Sequence, residues 1–342
     1  MQNKSWSLVV REESILALER CSATEKNGHI METITLGRTG IETTSVGLGS
    51  GGGSRIGMFS KGIDHAASIV RLAYDNGVRF FDTADVYGTQ PAVGKGLEGL
   101  PRDSFVISTK YPFLEDDDRN NPKNLEAKLD KALSELKTDY VDIYHMHGIM
   151  PEDYPRVKEY FYPELLQLRD KGKLRFIGIT ERFIEDTSHE MAALALADNL
   201  FDVMMLGYNL INSSAKSEVL ATAKAQGVGT LCMFAVRNAL SDRAYERELL
   251  QKLIDSGQVQ AEDIDLDEGL MYLVNKGYAA SIMEAAYRFC NYTDGIDITL
   301  FGTSSPDHLK ENLSSFTLPP LPDEALEWIQ KVFGKVDSVS GH

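Results

Sequence analysis

The sequence predicts an α/β protein in which eight strand–helix units close into a single (β/α)8 barrel. Apolar runs rich in β-forming residues begin near positions 45, 78, 104, 140, 174, 201, 228 and 296. Segments with helical apolar spacing alternate with these runs, as βα units require. The length of 342 residues also suits one barrel of about 250–300 residues with extensions at its ends.

The chain is expected to divide at residue 31. Residues 1–30 lack strand patterns and are expected to form a poorly ordered N-terminal extension, whereas residues 31–342 form the barrel domain. Turn residues and helical spacing predict three additions to the barrel. They are an N-terminal hairpin around Gly37–Gly40, a long loop including residues 240–276 before the last strand, and a C-terminal helix over residues 322–333.

A doubly wound parallel sheet is the alternative architecture. That fold binds dinucleotides through a Gly-x-Gly-x-x-Gly turn between the first strand and the first helix, with an acidic residue about twenty positions later. The glycines of residues 49–53 do not lie at the start of a helix in this way. The barrel is therefore the preferred interpretation.

Composition excludes several classes of partner. Thirty-five basic and fifty-one acidic residues give a formal net charge of −16, which repels nucleic acids and anionic membranes. No apolar run approaches the roughly 18 residues that cross a bilayer. The three cysteines Cys21, Cys232 and Cys290 are scattered along the chain, so neither disulfides nor a metal site is expected. Free cysteines are typical of a reducing compartment, and a cytoplasmic location is therefore expected.

Ionisable side chains follow three strand runs where each run ends. One strand ends in Asp82, and Tyr87 follows five residues later in a loop. The next two runs end in Lys110 and His147. Because the carboxyl ends of barrel strands meet at one rim, these four side chains are expected to lie close together and to form a catalytic group.

These residue types suit proton transfer to a carbonyl oxygen. A phenol titrates near 10 in water, and an adjacent cation such as Lys110 makes it easier to deprotonate. Asp82 would keep Lys110 charged, and His147 would orient the oxygen. Singly, each residue also fits a structural role. Their combination favours Tyr87 as a general acid, and because no side chain supplies hydride, a nicotinamide cofactor is implied.

Several motifs carry a resemblance to a known family. They are Phe81-Asp82-Thr83-Ala84, Tyr87-Gly88, Ser108-Thr109-Lys110, Asp142-Ile143-Tyr144 with His147, and Gly172-Lys173-Leu174-Arg175 followed by Ile177-Gly178. Together they resemble the aldo-keto reductases from about residue 31 to about residue 316. The resemblance implies a TIM barrel and NAD(P)(H) bound at its rim without a Rossmann domain. It also implies Asp82, Tyr87, Lys110 and His147 as the catalytic tetrad, with Tyr87 as the proton donor.

The resemblance also implies where the cofactor binds. The corresponding positions are Gly49, Ser50, Thr180, Glu181, Met205, Met233, Phe234, Arg237, Gly302, Thr303, Ser304, His308, Glu311 and Asn312. The family's Ser-Asn pair and its glutamine near the nicotinamide are replaced by Thr180-Glu181 and Met205. Its NADP-binding lysine and arginine are replaced by Gly302 and His308. Binding of NADP(H) or NAD(H) is therefore expected, without a strict requirement for NADP.

The substrate is expected to be a small carbonyl compound or alcohol, such as an aldehyde, ketone or sugar. Tyr111, Phe113 and Tyr154 are candidate residues of its pocket. Two other functions stay open: a Schiff-base lyase with Lys110 as nucleophile, and a regulatory subunit that binds cofactor with little turnover. The oligomeric state is not indicated by the sequence.

Overall fold

The computed structural model describes residues 31–113 and 121–342, so the expected N-terminal extension, with Cys21, lies outside the described residues. The strands are β1 Thr33–Leu36, β2 Ile41–Thr44, β3 Val46–Gly49, β4 Phe80–Asp82, β5 Val106–Pro112, β6 Val141–Ile149, β7 Leu174–Glu181, β8 Val203–Gly207, β9 Gly229–Met233 and β10 Ile298–Phe301. Strands β3 to β10 are parallel and close a barrel in the order β10-β3-β4-β5-β6-β7-β8-β9. The predicted (β/α)8 architecture is confirmed.

Helices surround the barrel. Those of eight residues or more are α1 Ile63–Asp75, α2 Gln90–Leu97, α3 Leu125–Leu136, α4 Tyr162–Asp170, α5 Glu190–Asp198, α6 Val219–Gln226, α7 Arg243–Asp255, α8 Ile282–Asn291, α9 Pro306–Ser315 and α10 Asp323–Phe333. Shorter helical segments include Met58–Lys61, Tyr154–Arg156, Asn238–Ser241 and Met271–Asn275. Within the described ranges, none of the helices combines the length and the apolar character that a bilayer crossing demands.

Helix starts follow local capping chemistry. The Asp242 carboxylate accepts hydrogen bonds from the first backbone N–H groups of α7, and Ser281 accepts one from Glu284 N at the start of α8. Ser305 does the same for α9 through His308 N. Each of these short polar side chains satisfies N–H groups that lack a partner inside the helix.

The N-terminal hairpin closes the barrel at the amino ends of its strands. Leu36 and Ile41 pack against the inward-facing Phe80 and Leu231 in an apolar cluster. Gly37, at φ +43°, lies so close to β9 that a Cβ there would be 2.3 Å from Gly229 N. The hairpin therefore fills the barrel at the amino ends of the strands, so a ligand can enter only at the carboxyl ends.

Two segments differ from the expectations. Helix α5 is not indicated by the sequence pattern, because its Met-Ala-Ala-Leu-Ala-Leu-Ala run is apolar on all sides and lacks an amphipathic stripe. In the long loop expected before the last strand, where residues 240–276 have a polar and then a helical pattern, the polar part is helical as well. The loop contains α7 and Met271–Asn275, and Tyr272 stacks on Trp328 of α10 with ring centres 4.5 Å apart.

Candidate active site

A cavity of about 800 Å³ opens at the carboxyl ends of the barrel strands. Each strand contributes a lining residue from its last positions: Gly49, Asp82, Pro112, His147, Glu181, Met205, Met233 and Phe301. In this fold the carboxyl rim is where catalytic side chains are found. Among the residues that the structure describes, no group of three or more His, Cys, Asp or Glu side chains is placed to hold a metal ion.

Lys110 and Asp82 form a buried ion pair at the base of the cavity. Lys110 Nζ donates to both Asp82 carboxylate oxygens at 2.6 Å and to the Thr83 carbonyl at 2.7 Å. Ser108 Oγ donates to Asp82 Oδ1 at 2.8 Å. Lys110 is 1% exposed. Because all three ammonium hydrogens have acceptors, the cation is held in one position.

Tyr87 lies between this ion pair and His147. Its Oη is 3.4 Å from His147 Nε2, and Lys110 Nζ is 5.1 Å from the centre of its ring. Tyr87 ends the short 3-10 turn Asp85–Tyr87 after β4, and Asp85 is ion-paired with two lysines of α3, Lys128 and Lys131. The structure thus brings the four side chains expected to be catalytic to one side of the cavity.

Burial determines the protonation of this group. It lowers the pKa of His147 to about 3, with further contributions from Lys110, Arg182 and Arg55, so the imidazole is neutral at physiological pH. Burial also raises the pKa of the Tyr87 phenol, against the opposing effects of Lys110 and Arg55. The cation therefore eases deprotonation of Tyr87, as expected, but burial outweighs it. The phenol is protonated at neutral pH.

Arg55 was not among the expected site residues. Its guanidinium lies 4.8 Å from the centre of the Tyr87 ring, and its Nη1 is buried without a hydrogen-bond partner in the described part of the chain. The approach of this loop depends on Gly51, where a Cβ would be 2.9 Å from the Tyr87 ring. A cation in a glycine- and serine-rich loop after the first barrel strand is the sequence signal that could have identified it.

Two buried donors in the cavity suit an anionic ligand. The Arg237 guanidinium lies 3.5 Å from the centre of the Phe234 ring, and its Nε is buried without a hydrogen-bond partner among the described residues. In residues 31–113 and 121–342, Arg237 Nε and Arg55 Nη1 are thus two N–H groups of lining residues that find no acceptor. Buried donors are normally paired, and pyrophosphate oxygens would pair them. The residues present therefore fit the phosphates of a dinucleotide.

The region expected to hold the nicotinamide is chemically unusual. Ser50 Oγ donates to the Asp82 carbonyl at 2.9 Å, whereas Thr180 Oγ1 accepts from Gly148 N at 2.7 Å, a bond that does not use its own O–H. Met205 lines the cavity with an apolar side chain, as does Met233. The Glu181 side chain is fully buried: its Oε1 accepts the Gly207 N–H at 2.7 Å, and both carboxylate oxygens lie 3.0 Å from His189 Nδ1. The next residue, Arg182, also lines the cavity.

The region expected to hold the adenosine lies beside the end of β10. Gly302 lines the cavity, and a Cβ there would be 2.8 Å from the Gly49 carbonyl, so a lysine at this position would require a backbone shift. The other predicted contacts follow it, in the loop before α9 and on that helix: Thr303, Ser304, His308, Glu311 and Asn312. The His308 side chain is exposed. These positions lie beyond the lining of the cavity and stay predictions.

Of the three residues expected in the substrate pocket, Phe113 lines the cavity. Tyr111 and Tyr154 do not. Side chains alternate along a strand, so Tyr111 faces the helices when Lys110 faces the interior, and it packs against Phe161. Tyr154 is buried against Phe201, and its hydroxyl donates to Asp198 at 2.9 Å. Both tyrosines are therefore core residues.

The C-terminal segment supplies a lining residue that the sequence did not indicate. Asn209 Nδ2 donates to the Ser340 carbonyl at 3.1 Å, and Asn212 Nδ2 donates to the Val339 carbonyl at 3.0 Å. These bonds place His342 at the cavity, with its ring centre 6.2 Å from that of Phe234. The contact depends on the path of the chain after α10, which leaves no signature in the local sequence.

Comparisons with known proteins agree with this geometry. The model of the Aldo/keto reductase family matches residues 47–333. L-galactose dehydrogenase of Arabidopsis thaliana is 30% identical over 209 residues, 59% of this chain and 64% of that protein, so the match spans less than two thirds of its length. Aldo-keto reductase YhdN of Bacillus subtilis (strain 168) is 28% identical over 312 residues, 84% of this chain and 89% of that protein.

A solved structure agrees with the fold. The holo form of aldo-keto reductase AKR11C1 from Bacillus halodurans superposes with a TM-score of 0.64 at 21% identity, covering 88% of this chain and 96% of that one. The barrel, the cavity at its carboxyl rim and the match of the family model over most of the sequence lead to one conclusion. The chain belongs to the aldo/keto reductase family of NAD(P)-dependent oxidoreductases.

Proposed function

We propose that the chain interconverts a carbonyl compound and an alcohol, with Tyr87 as general acid in reduction and general base in oxidation. The observation that supports this most directly is the placement of the Tyr87 hydroxyl. It lies 3.4 Å from a neutral imidazole and beside a buried Lys110–Asp82 ion pair, in a cavity lined by all eight strands. This arrangement can hold a carbonyl oxygen and give it a proton.

Each side chain has a definite task in this proposal. A bound nicotinamide cofactor supplies or accepts the hydride at carbon. Tyr87 donates its proton to the oxygen as negative charge develops there, and Lys110 stabilises the phenolate that remains. Asp82 keeps Lys110 in place. The neutral His147 ring has one N–H, which can donate to the same oxygen and orient it.

The sequence left two alternative functions open, and the geometry of the site disfavours the Schiff-base lyase more than the regulatory subunit. A Schiff-base lyase needs an ammonium that can deprotonate and reach the substrate, whereas Lys110 donates to three oxygens and is buried. A regulatory subunit that binds cofactor without turnover stays open, because Glu181 and Met205 change the surroundings of the nicotinamide. The close approach of Tyr87 and His147 favours the enzyme.

The substrate class follows from the lining. Phe113, Phe183 and Ile184 contribute to the lining of the cavity that Tyr87 and His147 also line, which suits a small aldehyde, ketone or sugar. The similarity to an L-galactose dehydrogenase supports an aldose as the first substrate to test. We place the chain in the cytoplasm, because Cys232 and Cys290 are free and buried.

We infer that NAD(H) is accepted as readily as NADP(H). Gly302 and His308 stand where the NADP-dedicated members of the family have two cations, and the close contact at Gly302 means that a lysine there would require a backbone shift. Lys61 Nζ donates to the Ser304 carbonyl at 3.4 Å, so one positive charge remains beside this loop. A strict choice between the two cofactors is not expected.

One experiment tests both the proposed oxidoreductase activity and the inference that NAD(H) and NADP(H) are both accepted. The full chain is titrated with NADH and with NADPH by fluorescence, and turnover is then assayed on a panel of aldehydes, ketones and aldoses in both directions. We expect binding of both cofactors and turnover of at least one panel member. Failure to bind either cofactor would refute the oxidoreductase, binding without turnover would favour the regulatory subunit, and a preference for NADPH above about a hundredfold would refute the inference on cofactor choice.

The pKa shifts predict different pH profiles for the two directions. Oxidation requires Tyr87 as the base, and because the pKa of its phenol is raised above the ordinary value of about 10, kcat/KM for oxidation should rise throughout the range from pH 6 to 10. Reduction requires the protonated phenol and should stay level over that range. His147, with a pKa of about 3, should add no acid limb. A limb near pH 6.5 in either profile would show an ionising imidazole and contradict this assignment.

A further inference from the structure

The cavity is basic although the chain as a whole is acidic. The formal net charge of the protein is −16. Three arginine side chains nevertheless line the cavity: Arg55, Arg182 and Arg237. Within residues 31–113 and 121–342, its lining also has two acidic side chains, and both Asp82 and Glu181 accept hydrogen bonds from the protein's own donors. An excess of basic lining groups favours an anionic ligand.

The phosphates of a dinucleotide account for Arg237 better than for Arg55. Arg237 follows β9, in the segment where the family's pyrophosphate loop is expected. Arg55 instead lies over the ring of the proposed proton donor, with its guanidinium 4.8 Å from the centre of the Tyr87 ring. In a dinucleotide a ribose separates the pyrophosphate from the nicotinamide ring, and that ring is the part that must meet a substrate beside Tyr87. Arg55 is therefore placed among the reacting groups.

The backbone around Arg55 holds the guanidinium in this place. Arg55 and Ile56 have φ values of +44° and +49°, left-handed conformations that cost a non-glycine residue free energy. The Ile56 side chain is buried in the core, which fixes the loop. Gly51, where a Cβ would be 2.9 Å from the Tyr87 ring, lets the same loop lie against that ring. Backbone strain of this kind is concentrated at functional sites, and here it positions a cation beside Tyr87.

Arg55 also has an N–H group that a ligand could satisfy. The side chain is half-buried, and its Nη1 finds no acceptor in the part of the chain that the structure describes. Buried donors are normally paired, because leaving one unpaired costs free energy. A carboxylate matches the planar guanidinium and can accept two of its N–H groups at once. A carboxylate on the substrate would therefore complete the hydrogen bonding of Arg55.

The positive charge of Arg55 reaches the catalytic group. After burial, the groups that lower the pKa of His147 are Lys110, Arg182 and Arg55. Lys110 is balanced by Asp82, with which it forms a buried ion pair. An anionic group near the reacting carbonyl would thus be attracted by the arginines without displacing the ion pair on which Tyr87 depends.

Resting on the proposed function, we propose that Arg55 makes the enzyme select substrates that carry a carboxylate besides the reacting carbonyl or hydroxyl group. These are oxo acids and the corresponding hydroxy acids, sugar acids included. The carboxylate pairs with the Arg55 guanidinium while the reacting oxygen meets Tyr87 and His147. Arg55 acts here through binding, so the selection can be measured without turnover.

The test compares oxo acids with their amides, which have nearly the same shape and lack the charge. The pairs are pyruvate with pyruvamide, acetoacetate with acetoacetamide, and levulinate with levulinamide, in which the carboxylate lies progressively farther from the ketone. Dissociation constants are measured by calorimetry on the full chain saturated with NAD⁺ or NADP⁺, because an oxidised cofactor cannot reduce a ketone. We expect at least one carboxylate to bind about tenfold or more tightly than its amide.

Variants assign this preference to Arg55. Arg55→Met keeps an unbranched side chain and removes the charge, so the two affinities of the selected pair should come within about threefold of each other. Arg55→Lys keeps the charge without the planar fork and should retain part of the preference. Arg55→Gln is a second neutral variant if Arg55→Met does not fold. Arg247→Met removes an exposed cation of α7 that lies outside the cavity lining, and this control should leave the preference unchanged.

The outcomes separate this inference from the function on which it rests. If no carboxylate binds more tightly than its amide, the selection is wrong, and turnover of neutral carbonyl compounds would still support the oxidoreductase. If the neutral variants keep the preference and weaken cofactor binding by about tenfold or more, Arg55 serves the pyrophosphate and the inference is wrong. A preference that depends on Arg55 in a chain without turnover of any carbonyl compound would support the carboxylate site and refute the oxidoreductase.

Discussion

Replacing Tyr87 with phenylalanine is expected to reduce kcat by about a thousandfold or more, while cofactor dissociation constants change by less than about threefold. The reason is that the change removes one hydroxyl, the only group placed both 3.4 Å from His147 Nε2 and beside the Lys110 ammonium in the described part of the chain. General acid–base catalysis contributes about 10²–10⁴-fold, and the loss also removes the stabilisation of the phenolate by Lys110. Steady-state kinetics and fluorescence titration measure the two quantities separately.

A matched control distinguishes this role from a general effect of tyrosine removal. Tyr160 is 53% exposed and lies on the outer surface, so Tyr160→Phe should leave kcat unchanged. Thermal unfolding of Tyr87→Phe should resemble that of the unaltered chain, because the ring and its contact with His147 are retained. Turnover by Tyr87→Phe within about tenfold of the original rate would remove Tyr87 from the mechanism.

The barrel could be predicted from the sequence because its signals are local. Each strand is a short apolar run, and Asp82, Lys110 and His147 each lie at the end of such a run, where the fold brings strand ends together. Strand alternation explains the wrong expectation for Tyr111 in the same terms, since a neighbour of the inward-facing Lys110 must face outward. Pattern alone is therefore enough to place these three side chains at one rim of the barrel.

The remainder of the site depends on contacts between segments that are distant in the chain. Glu181 departs from the family's Ser-Asn pair, but its hydrogen-bond partner His189 lies beyond a turn, in a left-handed conformation that sequence does not reveal. Arg55 reaches Tyr87 because Gly51 lets one loop lie against another. His342 reaches the cavity through two asparagine side chains. Such placements are decided by tertiary packing, which overrides local preference.

The Asp82–Lys110 ion pair is expected to affect stability and catalysis in separable ways. Asp82→Asn leaves a buried ammonium without its counter-charge, and Lys110→Met leaves a buried carboxylate. Breaking a buried ion pair by removing one partner costs about 3–5 kcal/mol in the free energy of unfolding. Both single variants should therefore unfold at lower urea concentration, and both should lose turnover by a thousandfold or more, on the order of what removing a catalytic group costs. Urea titration and kinetics measure the two effects.

The double variant Asp82→Asn with Lys110→Met provides the decisive comparison. Without either charge, no uncompensated ion remains, so much of the lost stability should return, because a buried pair contributes little net stability compared with uncharged groups. Turnover should not return, because the phenolate of Tyr87 needs the cation. Asp142→Asn is the control: this buried carboxylate pairs with Arg102 and Arg175 at the amino end of β6, so its loss should lower stability and leave kcat unchanged. A double variant that regained both stability and turnover would show that the pair is structural and that proton transfer relies on other groups.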